Sequence, residues 1–375
     1  MFPEKTKPNS ADAIKVSVLV LTYNHEKYLA QTLDSILAQK VSFPIELIIA
    51  EDCSTDATRD VIAEYRDKFE NCTVLLNNKN RGGIFTIITA SEHISGEYYC
   101  FLEGDDYWTD PTKLQQQVDI LDQHKEYVGC SHNTELFYQA ESRTELLHKE
   151  PLPDEYGADE LITSQCYCHT SSYLWRRTSR DIYPLEMHYN KMIGDWFVSI
   201  YKSQFGKIKY IDRTMSTYRI SGTGIYSKLS QLNRDYSNIR GAIIYNKLLK
   251  YKFDHIYSRN LPYSVRHILF QNLSPSKIRS PSDVLILLRL IFLHLSFVSF
   301  DKHLPDRSSI GVRRKYQIAN LARYMYIQMF RKLINPVSKF IYEALHLFDM
   351  NRYKVLYKKK LMKLFGIEMY ESDYQ

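Results

Sequence analysis

Charge of one sign, clustered cysteines, glycine-rich phosphate loops and long apolar runs are all scarce in this chain, and each shortage removes a class of function. Lysine and arginine number 49 against 43 acidic residues, a net charge of +6, which is too even a balance for a polycation, so nucleic acid is not an expected partner. The six cysteines lie far apart except Cys166 and Cys168. That spacing excludes a disulfide framework and suits reduced, buried thiols in a cytosol. Cys166-Tyr167-Cys168-His169 has no second Cys/His pair at ligand spacing, so a zinc site is not expected either. The longest apolar run, Val284 to Phe300, is interrupted by Arg289 and His294 and falls short of the roughly 20 residues a spanning helix needs. Met1 to Ala13 is polar with no apolar core, and reads as a flexible start rather than a signal or an anchor. A cytoplasmic protein is the expectation.

What is present is a rhythm. Val16 to Thr22 is an almost unbroken β-branched and leucine run, as in a strand buried on both faces of a parallel sheet. Tyr28, Leu29, Leu33, Ile36 and Leu37 then recur at helical spacing. Ile45 to Glu51 reads as a second strand, with a helix from about Asp56 to Phe69. Thr73 to Leu76 reads as a third, followed by the Asn- and Gly-rich turn Asn77 to Gly83 and a helix to Ile94. Tyr98 to Glu103 is a fourth strand, and Pro111 opens a helix to His124. The alternation predicts an α/β fold with an open, doubly wound, mostly parallel sheet, whose ligands sit at the strands' carboxyl ends.

Val128 to Phe137 continues the strands, and Tyr138 to Gly157 reads as a mobile polar loop over the site. Strands are expected over Tyr167–Arg176, Lys207–Ile211 and Ser216–Ile220, with a helix over Ile193–Phe205. The divisions expected are 1–13, a catalytic domain over 14–227, and a basic helical extension over 228–375.

Three groups of residues suit chemistry on a nucleotide-linked substrate. Glu51 and Asp52, ending the second strand, can accept hydrogen bonds from a base or a ribose; the competing reading makes Asp52 a helix cap. Glu103-Gly104-Asp105-Asp106 packs three carboxylates into four residues, a density whose repulsion a divalent cation, Mg²⁺ or Mn²⁺, relieves. Such an ion, held by Asp105 and Asp106, would stabilise a departing diphosphate; an acidic cap for the Pro111 helix is the alternative. Asp195 is the candidate general base, again against a helix cap, and Trp196 beside it can stack on a pyranose ring of an acceptor.

In order, VSVLVLTYNHEKYLAQTLDSIL, IELIIAEDCSTDAT, NNKNRGG, FLEGDDYWTDPTKL, HTSSYLWRR, IGDWFVSIYKSQFG and STYRISGTG resemble the blocks of family 2 glycosyltransferases, of GT-A fold, and particularly the non-processive bacterial enzymes of surface-polysaccharide synthesis. The resemblance covers roughly residues 14–226. It implies sugar transfer with inversion from a nucleotide-diphosphate donor, with a weak preference for uridine, to a hydroxyl on a glycan or lipid-linked glycan. It further implies donor binding by Thr22, Tyr23 and Asp52, metal and diphosphate contact by Asp105 and Asp106, a base at Asp195, and a diphosphate contact by Arg219. Glu51 and Glu103 stand where Asp is commoner, and Ser221 where His often stands. Neither the membrane spans nor the Gln/Arg-x-x-Arg-Trp motif of processive members is found.

Two other functions remain open at this level. A nucleotidyltransferase shares the architecture, but Thr22-Tyr23-Asn24-His25 is not the Gly-rich basic loop it needs; an inactive sugar-binding scaffold would not depend on the acidic residues. For the extension, the apolar run and the basic segment Lys354 to Lys363 raise docking on an anionic membrane surface against plain helical packing.

Overall fold

The protein is described from a computed structural model, which covers residues 13–164, 168–178, 194–222, 229–272 and 280–300. These divide into two compact units, one drawn from Met1–Ser230 and Arg240–Ser258, the other from Gln231–Ile239 and Arg259–Gln375. The boundary expected at 227/228 falls among residues 223–228, outside the described residues.

The first unit is an α/β domain built on one sheet. Strands β1 (Val16–Thr22), β2 (Ile45–Glu51), β3 (Cys72–Leu76) and β4 (Tyr98–Glu103) are followed by β5 (Tyr107–Trp108), β6 (Tyr127–Tyr138), β7 (Arg143–Leu146), β8 (Glu155–Tyr156), β9 (Leu174–Arg176) and β10 (Lys207–Ile220). Their order is β3-β2-β1-β4-β9-β6-β10-β5, with β7 beside β6 and β8 beside β10. The sheet is mixed. Its first half is parallel, β1 pairing with β2 and β4, and β2 with β3. In its second half β6 and β10 run parallel, whereas β9 is antiparallel to both β4 and β6.

The reason β1 takes the centre of the parallel half is its composition: all seven of its residues are buried, so it needs cover on both faces. Val16, Val18 and Val20 pack with Leu29, Leu33 and Ile36 of helix α1 (Leu29–Leu37) in the main core. Helices α2 (Thr58–Tyr65), α3 (Gly83–Ser91) and α4 (Lys113–Gln123) follow their strands as the alternation predicts. Where β6 passes β9, a Cβ on Gly129 would meet Trp175 Cε3 at 2.4 Å; only glycine permits that approach.

Three expectations need correction. Residues 138–157 are not one loop: β7 pairs antiparallel with β6 and β8 with β10, and Tyr156 is buried. Both strands are short and charged, the composition of a sheet edge, which conceals them from hydrophobic patterning. Lys207–Ile211 and Ser216–Ile220 are a single strand, β10, whose register against β6 shifts between Ile211 and Ser216, so the polar interruption is an irregularity inside a strand. Likewise the apolar part of 167–176 shortens to β9, preceded by a 3₁₀ turn at Thr170–Ser172, and Tyr167 lies outside the described residues.

Helices α5 (Ala158–Ser164) and α6 (Gly194–Lys202) complete the described part of the first unit's second half. Among the described residues three helices follow, α7 (Gln231–Leu248), α8 (Asp254–Asn272) and α9 (Pro281–Phe300). Among the described residues, no helix is long and apolar enough to cross a membrane. No disulfide joins the described cysteines, Cys53, Cys72, Cys100, Cys130 and Cys168; Cys166 and the basic segment at 354–363 lie outside the described residues.

Candidate active site

The acidic loop leaves the carboxyl end of β4, next to the central strand. Gly104 N–H donates to Leu21 O at 2.8 Å, and a Cβ at Gly104 would meet His25 Nδ1 at 2.7 Å and Thr22 Oγ1 at 2.8 Å. Glycine therefore lets the loop lie against the end of β1. Thr32 of α1 steadies it from below, its hydroxyl donating to Asp106 O at 2.7 Å and lying 3.0 Å from Gly104 O.

Glu103, Asp105 and Asp106 each bring one carboxylate oxygen within 4.8 Å of the others. Asp106 is fully buried. Its Oδ1 accepts the backbone N–H of Arg219 at 2.9 Å. Its Oδ2, like Asp105 Oδ1, is buried with no hydrogen-bond partner. Burial first, and then the neighbouring Asp105 and Glu103, push the Asp106 carboxyl well above the usual carboxylate range. Orphaned anionic oxygens converging in this way are costly without a positive partner. The set is all oxygen and carries negative charge, so the residues fit a divalent cation.

Two imidazoles border this loop. His25 Nε2 lies 3.8 Å from Asp105 Oδ2, with Nδ1 3.3 Å from Thr22 Oγ1. His169 Nε2 lies 3.8 Å from Asp106 Oδ2. Burial lowers both pKa values, that of His169 to about 4, so each ring is neutral at neutral pH.

Arg219, on β10, is bound to the protein rather than left reaching outward. Its Nε donates to Asp105 O at 3.0 Å and its Nη2 to Gln31 Oε1 at 2.5 Å. The guanidinium carbon lies 4.8, 5.4 and 5.6 Å from the ring centroids of Tyr28, Tyr107 and Phe137, a cation–π enclosure. Main chain and side chain of one residue thus hold both aspartates of the loop.

The pair ending β2 is equally engaged. Glu51 is buried and accepts the Arg59 Nε–H at 2.6 Å and the Ser54 N–H. Asp52 accepts from Asn77 Nδ2 at 2.8 Å, Arg81 N at 2.8 Å and Gly82 N at 2.7 Å. Its oxygens are therefore spent on the Asn-Gly turn, not on capping α2 as the competing reading had it. Asp52 N–H in turn donates to Thr22 O at 3.0 Å, tying β2 to the end of β1. Tyr23, next along, is 40% exposed.

On the second half, Asp195 stands in the first turn of α6, and its side chain lies outside the described residues. Trp196 donates its indole N–H to Leu161 O at 3.3 Å and sets its ring against Tyr245 at 5.5 Å and 78°. Thr22, Asp105, Asp106 and Arg219 are thus brought together; His25, Gln31, Thr32 and His169 join them although sequence reasoning did not place them there. Only His169 carried a signal, as part of a Cys/His pattern considered for a different metal.

Residues 17–181 match the family model described as Glycosyl transferase family 2. Over this segment the chain is similar to that family. Over 228 residues the chain is 32% identical to an uncharacterized protein of Mycobacterium tuberculosis, covering 60% of this chain and 64% of that one. It is 29% identical over 216 residues to an uncharacterized glycosyltransferase of Nostoc, covering 56% and 66% of the two chains. The match therefore spans a little under two thirds of these relatives' length. A poly(ribitol-phosphate) β-N-acetylglucosaminyltransferase, TarS of Staphylococcus aureus, is 33% identical over 114 residues, 30% of this chain and 19% of that one. Its fragment 1–349 with UDP superposes at a TM-score of 0.45 and 19% identity, covering 78% and 93% of the chains.

Proposed function

We propose that the protein is an inverting glycosyltransferase, moving a sugar from a nucleotide-diphosphate donor to a hydroxyl acceptor in the synthesis of a cell-surface polysaccharide. The observation that carries the reading is the pair of buried, partnerless carboxylate oxygens on Asp105 and Asp106 at the carboxyl end of β4. Asp105 and Asp106, with Glu103 alongside, would hold Mg²⁺ or Mn²⁺. When bound, such an ion neutralises charge on the leaving diphosphate. The names of the Nostoc and S. aureus relatives support the reaction class, and the latter supports a polymer as acceptor.

The chain's own residues have distinct parts. Thr22 and the exposed ring of Tyr23 line the nucleoside side at the end of β1. Glu51 and Asp52 act there through the turn they organise, shaping the wall against which base and ribose lie. Arg219 sets the acidic loop and adds positive charge beside the diphosphate. Asp195 takes the proton of the attacking hydroxyl, which approaches the anomeric carbon opposite the leaving group, and Trp196 borders the acceptor.

The test is a screen of purified protein against nucleotide sugars, with divalent cation and then with chelator. Nucleoside diphosphate is expected from one donor class only, and chelation abolishes its release. Turnover that is indifferent to chelator overturns the metal-dependent reading; pyrophosphate release from a nucleoside triphosphate and a sugar phosphate would make the protein a nucleotidyltransferase instead.

The helical extension, we further propose, docks on an anionic membrane where a lipid-linked glycan is presented, as α9 (Pro281–Phe300) is rich in leucine and phenylalanine and a basic segment follows at 354–363. Flotation with anionic vesicles at low salt should carry the intact chain upward, and less so at high salt. Failure to float at low salt removes the idea.

A further inference from the structure

The assignments above leave His169 without a part, although it is held with care. Its ring stacks on Tyr218, centroids 4.3 Å apart at 22°, and its Nδ1 lies 2.9 Å from Ser171 Oγ. That hydroxyl begins a buried run in which Ser171 Oγ donates to Ser216 Oγ at 2.9 Å and Ser216 Oγ lies 3.0 Å from Thr134 Oγ1. Stacking and hydrogen bonding together fix the ring, with 13% of the side chain exposed.

So held, His169 presents Nε2 to Asp106 Oδ2 at 3.8 Å, beyond hydrogen-bond range. The same Oδ2 is fully buried and has no other partner. A nitrogen and an oxygen, both able to bind a metal, therefore face one another across a gap that no hydrogen bond closes. Because the Ser171 hydroxyl hydrogen points to Ser216, its oxygen is left to accept Nδ1–H, and the lone pair then resides on Nε2. A longer approach of the Ser171 backbone N–H to Nδ1, 3.4 Å, suits the opposite tautomer; the 2.9 Å hydroxyl contact is the stronger of the two. A metal-binding imidazole generally donates its other ring N–H to an oxygen acceptor, which sets the remaining nitrogen as ligand; here that acceptor is the Ser171 hydroxyl.

We propose that His169 is a nitrogen ligand of the divalent-cation site formed with Asp106, and that it turns the site's preference from Mg²⁺ toward transition-series ions such as Mn²⁺. Mg²⁺ favours all-oxygen octahedra and keeps its waters. Imidazole nitrogen is a better match for borderline ions, whose affinities rise along the first transition series. One nitrogen among carboxylates therefore separates Mn²⁺ from Mg²⁺ where a purely acidic loop would not. The inference shares its cation site with the sugar-transfer reading, but its readout needs no sugar.

The experiment loads the full chain with Mn²⁺, alone and with uridine diphosphate, and records pulsed electron paramagnetic resonance for coupling to ¹⁴N, together with Mn²⁺ and Mg²⁺ affinities. Wild type is expected to show ¹⁴N coupling. His169→Gln is expected to lose it, with Mn²⁺ affinity down by roughly tenfold or more and Mg²⁺ affinity nearly unchanged. Absence of ¹⁴N coupling in wild type, its persistence in His169→Gln, or no Mn²⁺ binding under either condition overturns the proposal. An absent signal in wild type overturns the proposal even if the variant fails to fold, and His25→Gln, expected to keep the coupling, separates the other imidazole, 3.8 Å from Asp105 Oδ2. Nitrogen coupling in a protein that transfers no sugar would sink the transfer reading alone, while metal-dependent transfer without coupling would sink this one alone.

Discussion

Replacing Asp106 with asparagine is expected to lower the proposed sugar transfer by roughly 10²–10³-fold, the usual cost of removing one group that stabilises developing charge, while the metal-free protein is expected to stay at least as stable. The two outcomes share a cause. Asp106 is buried beside Asp105 and Glu103, and its carboxyl is held well above the ordinary range. A group that binds its proton more tightly when folded than when unfolded favours folding only at low pH, and costs stability as pH rises through its folded pKa. Asparagine keeps an oxygen to accept the Arg219 N–H and removes the charge that costs. In chelator, the unfolding temperature of Asp106→Asn should therefore match or exceed that of wild type at neutral pH, with the difference shrinking as the pH is lowered. A variant that retained more than a tenth of the transfer rate would show that the acidic loop is not where the leaving group is stabilised. A variant that unfolded more readily would show that the ionised carboxylate is a structural member.

Asp52→Ala is expected to destabilise the protein by about 3 kcal/mol, since it strips the acceptor from two backbone N–H groups and one amide. For a domain of this size that is a fall of roughly 6–12 °C in melting temperature. Arg81 N and Gly82 N would lose their partner, and Asn77, also 3.2 Å from Thr86 Oγ1, would be released on one side. The turn after β3 would loosen, and the wall it offers a nucleoside with it. Melting curves and donor KM, measured together, separate the two roles proposed for this residue. A lower melting temperature with a modest rise in KM marks an organiser of the turn. An unchanged melting temperature with a KM raised by more than tenfold would mark direct contact with the nucleoside.

How far these sites were legible depends on how local their physics is. The parallel half of the sheet follows from β1, β2 and β4, whose runs are hydrophobic enough to demand cover on both faces. The acidic loop was legible because three carboxylates in four residues repel one another wherever they are placed. Strands β7 and β8 were not, because an edge strand is polar by necessity and patterning reads it as a loop. Nor was the engagement of Asp52: an acidic residue before a helix is equally a cap, a ligand or a brace until its donors are known. Arg219 was read as a group reaching toward substrate, yet its Nε and Nη2 hydrogens end on Asp105 O and Gln31, residues 114 and 188 positions away in the chain.

The sequence by itself determined the alternation of strands and helices and the place of the acidic loop at the end of a buried strand, since each is dictated within a few residues by burial or periodicity. Tertiary structure alone decided where antiparallel strands enter the sheet and which side chains surround Asp105 and Asp106. Thr32, His169 and Arg219 come from a helix, the residue preceding a 3₁₀ turn and a distant strand, and no local preference encodes their meeting. That meeting depends on how β9 and β10 pack into the sheet, a long-range property that sequence spacing does not express.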